Sequence, residues 1–300
     1  MTTGTDRRSV LTGLGALGLL GCGQAQEREP VMIFPRVRLD LSALEARHGG
    51  RLGVSAWSAS RVAGWRDDER FVYCSTFKAY LAAATLLRVQ AGEERLDRAI
   101  PVTSADMTNH APVTGAAVGG SLTVDQLMEA TVGLSDNPAA NLLIRELGGL
   151  EALREFYRGI GDQSTRVDRL EPEMNRLDGG KDTITPGQSA VNLRRLFVSR
   201  DTPLSTRSKE RLLGWMFDTP TGPGRIKAGV PAGWRVAHKT GTGGYGPTND
   251  IGLLYPPSGE PLVLAVYFHA TPESTSAQND AVIADATRMT LAAIDADAPA

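Results

Sequence analysis

Residues 74–91 read CSTFKAYLAAATLLRVQA. From Phe77 to Ala91 the side chains are apolar on nearly every side of a helix, and Gly92 supplies the stop signal. A helix apolar all round belongs in the middle of a domain, so the remaining chain is expected to pack around this one. Lys78 is out of place in it. It lies in the first turn, where the helix dipole disfavours a cation, within a segment otherwise almost uncharged.

Upstream, Leu41–Arg47 has the pattern of a short amphipathic helix that Gly49-Gly50 stops, and Leu52–Ser58, Val62–Arg66 and Phe71–Tyr73 read as short strands. Downstream the helical pattern runs to about residue 212. Thr123 and Gln126 form a capping box for a helix over Val124–Thr131. Asn137-Pro138 predicts an N-cap followed by proline at the first helical position, opening a helix through Leu147. Strand patterns return at Arg235–Thr240, Asp250–Tyr255 and Pro261–His269, and Ser276–Ala296 reads as a closing helix. Strands at both ends around a helical middle predict an α/β chain of the α+β type. Its α/β domain would comprise residues 37–72 and 213–300, interrupted by a helical domain over 73–212.

Composition narrows the function classes. With 300 residues, 41% of them apolar and 22% charged, the chain is neither disordered nor collagenous nor a coiled coil. A net charge of −2 gives no basic excess for a nucleic-acid partner. Two cysteines are too few for a disulfide scaffold. His48, His110, His238 and His269 lack the spacing and partner residues of a zinc site, and His238 is read as structural; no metal or cofactor is expected. Only five of the basic residues are lysines, namely Lys78, Lys181, Lys209, Lys227 and Lys239, so each one is informative.

The N-terminus reads as an address. Arg7-Arg8 precedes an apolar run from Val10 to Leu20 that is too short to span a bilayer, which takes ~20 residues. A charged start followed by a short apolar run is a secretory signal, and the paired arginines suggest the twin-arginine variant. Leu19-Leu20-Gly21-Cys22 resembles the lipobox of bacterial lipoproteins, which would make residues 1–22 the signal peptide and Cys22 the lipidated residue. The alternative is a cut nearby, after Ala25, that discards Cys22. Residues 23–36, polar and proline-containing, are read as a linker, and Cys74 would be the one cysteine left in the folded part.

Three short motifs can carry chemistry. In Ser75-Thr76-Phe77-Lys78, helical spacing puts the lysine one turn from the serine. A partly desolvated amine can take the proton of a serine nucleophile, and free N–H groups at a helix start favour developing negative charge. With 17 serines and five lysines, chance supplies roughly 0.3 such pairs, so this motif alone is weak. Ser135-Asp136-Asn137 lies on the turn between two helices, where such residues are ordinary caps. Lys239-Thr240-Gly241-Thr242 ends a strand; its glycine permits close backbone approach, and its lysine and threonines suit a carboxylate.

Together and in that order, the three resemble the signature of penicillin-recognising serine enzymes. Arg169-Leu170-Glu171-Pro172-Glu173-Met174-Asn175 resembles the omega-loop motif of the class A β-lactamases, and the resemblance extends over about residues 37–296. It implies the β-lactamase/transpeptidase-like fold: an antiparallel sheet flanked by helices, an all-helical domain holding the omega loop over 169–182, and the active site between them. It implies hydrolysis of β-lactam antibiotics, with resistance as the consequence. Ser75 would be the nucleophile, Lys78 its proton shuttle, Ser135 the donor to the leaving nitrogen, and Glu171 with Asn175 the holders of the deacylating water. The backbone N–H groups of Ser75 and Thr242 would form the oxyanion hole. Asn137 would hold the substrate amide, Lys239, Thr240, Gly241 and Thr242 the substrate carboxylate, and Arg225 would support the latter. Some members place that arginine where this chain has Thr248. His110 would sit at the pocket mouth, and Arg169 would pair with Asp182 to close the loop. The expected partner is a small-molecule β-lactam, bound by a monomer that touches a membrane only through its N-terminal lipid.

The chain departs from the family pattern in two places. The stretch between Asn175 and Asp182 is shorter than in well-known members, so the far side of the loop should differ. Cys74 precedes the nucleophile, as in certain carbapenem-hydrolysing members, but Gly243 stands where their partner cysteine would be. The alternatives are a penicillin-binding D-Ala-D-Ala peptidase or a β-lactam sensor, neither of which needs a hydrolytic glutamate. The lipobox gives a direct test. Cys22→Ser is expected to move the protein from the membrane fraction to the soluble fraction with its catalytic constants unchanged. A mature protein beginning downstream of Cys22 would contradict the lipid anchor.

Overall fold

The computed structural model describes residues 34–296 apart from Tyr245. The expected signal peptide over 1–22, its Cys22, and residues 23–33 of the linker lie outside the described residues. Both ends of the described chain feed one six-stranded sheet. The N-terminal side gives β1 (Arg36–Arg38), β2 (Arg51–Trp57) and β3 (Val62–Trp65); the C-terminal side gives β8 (Arg235–Thr242), β9 (Pro247–Tyr255) and β10 (Leu262–His269). Their order is β1-β3-β2-β10-β9-β8, antiparallel throughout except for β1 beside β3. Arg36, expected in the linker, opens β1. Three residues are too few to show a period, and β1 exists because it pairs with β3. Two short ladders lie between the halves: β4 (Phe71–Val72) with β7 (Thr183–Ile184), and β5 (Ala99–Pro101) with β6 (Ser121–Thr123).

The helices are α1 (Ser42–His48), α2 (Phe77–Gln90), α3 (Val124–Gly133), α4 (Asn137–Leu147), α5 (Leu150–Gly159), α6 (Pro186–Phe197), α7 (Thr206–Asp218), α8 (Ile226–Gly229) and α9 (Ser276–Ala296). Alternation along β10 explains how the sheet divides the core. Leu264, Val266 and Phe268 join a cluster with Leu44 of α1 and Val282, Ile283 and Leu291 of α9. Val263, Ala265 and Tyr267 face the other way, into the cluster that contains α2 and α6. A strand covered on both faces reads as a continuous apolar run, as this one does. Every residue of α2 from Phe77 to Leu86 is buried, Lys78 included.

Two local readings change. The capping box at Thr123 and Gln126 is present. The N-cap of α4, however, is Asp136 and not Asn137, which becomes the first helical residue. Asp136 Oδ1 accepts from the Ala139 N–H at 2.9 Å, and the same carboxylate accepts from the N–H groups of Val113 and Thr114 and from the Thr114 hydroxyl. With the cap supplied by Asp136, the Asn137 side chain is free to point elsewhere. The hairpin of β8 and β9 is also longer than its apolar pattern suggests. Its ladder continues through Gly241↔Asn249 and Thr242↔Thr248, polar positions that hydropathy does not mark as strand.

His269, at the end of β10, ties the sheet to the strand leading into the site. Its Nε2 accepts from the Val72 N–H at 3.3 Å, its ring packs edge-on to Phe71, and the guanidinium of Arg51 lies 3.4 Å from Nδ1. Burial, reinforced by Arg51, lowers its pKa to about 4. The unfolded chain therefore binds a proton that the folded chain refuses, and stability falls as pH drops from about 6.5 towards 4, by about 3 kcal/mol at most. In urea titrations at pH 7 and pH 4.5, His269→Gln is expected to lose part of this pH dependence. An identical loss in both proteins would exclude His269 as its source.

Candidate active site

The cleft lies where the amino end of α2 meets β8, and its volume is about 500 Å³. A single 3-10 turn, Cys74–Thr76, leads into α2 and presents Ser75 at the base. Gly241 lets β8 come this close: a Cβ there would lie 2.7 Å from the Tyr73 carbonyl oxygen and 3.1 Å from the Thr76 nitrogen. Two residues on, just past β8, Gly243 also permits close approach: a Cβ there would meet the Asn175 carbonyl and lie 3.0 Å from Cys74 Sγ. Cys74 itself is a buried free thiol whose pKa burial pushes up.

Lys78 is fully buried. Its ammonium donates to the Ser135 carbonyl at 2.7 Å and to Asn137 Oδ1 at 2.5 Å, and it pairs with Glu171 Oε1 at 3.1 Å. Burial lowers its pKa, and Glu171 opposes that shift. The hydroxyl of Ser75 donates to the same Glu171 Oε1 at 3.4 Å, so the carboxylate stands between the serine and the lysine expected to meet directly. Asn175 Nδ2 donates to the other carboxylate oxygen. Lys239 is buried as well and donates to Ser135 Oγ at 3.1 Å. Burial, and then the neighbouring Lys78, push its pKa well down, against the attraction of Asp250. Ser135 thus faces two lysines, from a left-handed backbone with φ 60°.

The segment bearing Glu171 is fastened from below. Asp182, fully buried, accepts from Arg169 Nε at 2.5 Å, from the N–H groups of Asp168 and Arg169, and from the Tyr73 hydroxyl at 3.2 Å. The Glu171-Pro172 peptide bond is cis. Asn141 on α4 was not foreseen. Its side chain clamps the Glu171 backbone, accepting from the N–H at 3.0 Å and donating to the carbonyl at 2.9 Å. The available signal was an asparagine that interrupts the apolar run Pro138–Ile144. Asp280 on α9 was also missed; it receives Arg225 Nε at 2.7 Å. The remaining donors of Arg225 go to the carbonyls of Gly241 and Asn249 and to Thr242 Oγ1 at 2.8 Å. Thr248 is buried beside them.

Thr240 bonds Thr221 across the cleft at 2.9 Å. His110 is exposed at the rim and reaches the Leu134 carbonyl through Nε2 at 2.9 Å, while Asn137 Nδ2 donates to Asn109 at 3.0 Å. His238, on β8 itself, is fully buried, with Nδ1 at 2.8 Å from Asp250. All the residues expected at the site, apart from Cys22 outside the described part, are brought to this cleft or to the loop beside it.

Known proteins resemble this chain in sequence and in fold. The family model described as the beta-lactamase enzyme family matches residues 36–294. Beta-lactamase L2 of Stenotrophomonas maltophilia is 42% identical over 77% of this chain and 77% of its own length. Beta-lactamase Toho-1 of Escherichia coli is 35% identical over 95% of this chain and 98% of its own. Among solved structures, an ancestral Gram-negative class A beta-lactamase superposes with a TM-score of 0.81 at 47% identity, covering 84% of this chain and 98% of that one. A beta lactamase from Xanthomonas campestris gives a TM-score of 0.80 at 41% identity, over 84% and 95%. The fold is that of the class A serine β-lactamases. The chain belongs to the beta-lactamase enzyme family.

The loop anchor can be tested by itself. Arg169→Ala removes one partner of buried Asp182 but leaves its backbone donors, so a loss of about 1–3 kcal/mol is expected in thermal or urea unfolding. Limited proteolysis should cleave the variant faster between Asn175 and Asp182. Unchanged stability and cleavage would mean that Arg169 does not hold the loop.

Proposed function

We propose that this β-lactam hydrolase works through an acyl-enzyme on Ser75. The observation that carries this reading is the position of Glu171, whose carboxylate touches Ser75, Lys78 and Asn175 at once. In the first step the Ser75 hydroxyl attacks the lactam carbonyl and its proton passes to the Glu171–Lys78 pair. The backbone N–H groups of Ser75 and Thr242 take the oxyanion. The ring C–N bond breaks, and Ser135, fed by the two lysines, protonates the departing nitrogen. In the second step a water held between Glu171 and Asn175 loses a proton to Glu171 and attacks the acyl carbonyl; Ser75 leaves and recovers a proton. Asn175 Oδ1, buried and otherwise unbonded, suits that water.

Lys239, Thr240, Gly241 and Thr242 bind the substrate carboxylate, supported by Arg225, while Asn137 takes the side-chain amide and His110 borders the entrance. The protein acts as a monomer in this reading. Export and a lipid tether at Cys22 rest on Arg7-Arg8, the apolar run and Leu19–Cys22.

Removing the Glu171 carboxylate should separate the two steps. General-base help is worth ~10²–10⁴ in rate, so Glu171→Ala should acylate more slowly, open about one equivalent of β-lactam, and stall with the whole ligand mass on the Ser75 peptide. Ser75→Ala should carry no adduct. Continued turnover by Glu171→Ala at the wild-type rate would remove Glu171 as the deacylation base. A burst without turnover in the wild type would point to a peptidase or sensor.

A further inference from the structure

Two arginines, Arg176 and Arg225, are among the side chains lining the cleft, and the Glu171 carboxylate beside them is buried and paired with Lys78. Arg225 is committed: Asp280, two carbonyls and Thr242 occupy its donors. Arg176 is not. Its backbone is fixed, with the N–H donating to the Glu173 carbonyl at 3.2 Å and the carbonyl accepting from Arg169 at 2.8 Å. Its side chain is exposed at the rim, and its guanidinium has no ion pair among the described residues. The nearby Asp178 is engaged by Lys181 and Arg169, and exposed Glu173, three positions back, forms no pair with Arg176.

The two arginines stand on different walls. Arg225 belongs to the β8 side, with Thr242 and Gly241, whereas Arg176 follows Pro172 and Asn175 on the loop. A β-lactam held by its ring carboxylate at the Lys239–Thr242 segment, which Arg225 braces from behind through Thr242, directs its acyl side chain away from that wall. We propose that Arg176 is a specificity-determining residue that favours β-lactams whose acyl side chain carries a second carboxylate. This rests on the hydrolase reading above. An uncommitted guanidinium offers such an anion a forked donor without having to break an existing pair. The site is solvated, so the effect is modest and screened by salt.

Benzylpenicillin and α-carboxybenzylpenicillin differ by one side-chain carboxylate and make a matched pair. The measured quantity is the ratio of their kcat/KM values, acidic over neutral, in the full-length protein. Arg176→Gln should lower the ratio about two- to fivefold, Arg176→Glu about tenfold, and Arg176→Lys should retain most of it. Raising the salt concentration should lower the wild-type ratio but leave that of Arg176→Gln unchanged. An unchanged ratio in Arg176→Gln and Arg176→Glu, with benzylpenicillin still turned over, would overturn the role of Arg176 alone. A wild type unable to turn over benzylpenicillin would overturn this inference together with the hydrolase reading.

Discussion

A buried ammonium is the constraint on which the rest of this structure depends. Lys78 sits on an otherwise apolar helix with no access to water, and an ion so placed costs several kcal/mol unless it is fully paired. None of its partners comes from α2. Glu171 comes from the omega loop, Ser135 from the turn between α3 and α4, and Asn137 from the first position of α4. Loop and turn must therefore both be seated before Lys78 is satisfied. The loop is seated in turn by Asn141 on α4 and by Asp182, which also accepts from Tyr73, next to the nucleophile turn. Each member of the ring is held by another, so the site behaves as one unit.

Backbone strain marks the same ring. Five described residues other than glycine have left-handed φ values; Cys74, Ser135, His110 and Asp182 belong to the cleft or its loop, and Arg66 does not. Such conformations cost of order 1–3 kcal/mol each and persist only where surrounding contacts over-determine them. At Ser135 the strained backbone brings one hydroxyl within reach of two lysines.

Much of this was legible in the sequence because the signals were local or periodic. The apolar α2, the capping box at Thr123 and the closing helix Ser276–Ala296 follow from spacing alone, and the chemistry followed from motifs that bring serine, lysine and glutamate together in a fixed order. What escaped depends on partners distant in sequence. Asn141 and Asp280 look like ordinary helix residues until the loop and Arg225 are docked against them. The cap at α4 was assigned one residue late because aspartate and asparagine are both good caps, and only the neighbouring Thr114 segment decides between them. The polar end of the β8–β9 hairpin was hidden for the same reason: its pairing is tertiary.

The sheet also bears on how the protein is made. Its central pairing joins β10 to β2, with Val263 opposite Trp57, so about two-thirds of the chain separates the two partners. Contacts of this kind form late and slowly, because a large loop must close before they return any free energy. During synthesis β2 and β3 therefore emerge long before their neighbour exists, and the apolar strand faces remain uncovered until residues 262–269 leave the ribosome. A nascent chain of this topology gains its sheet only at the end of translation.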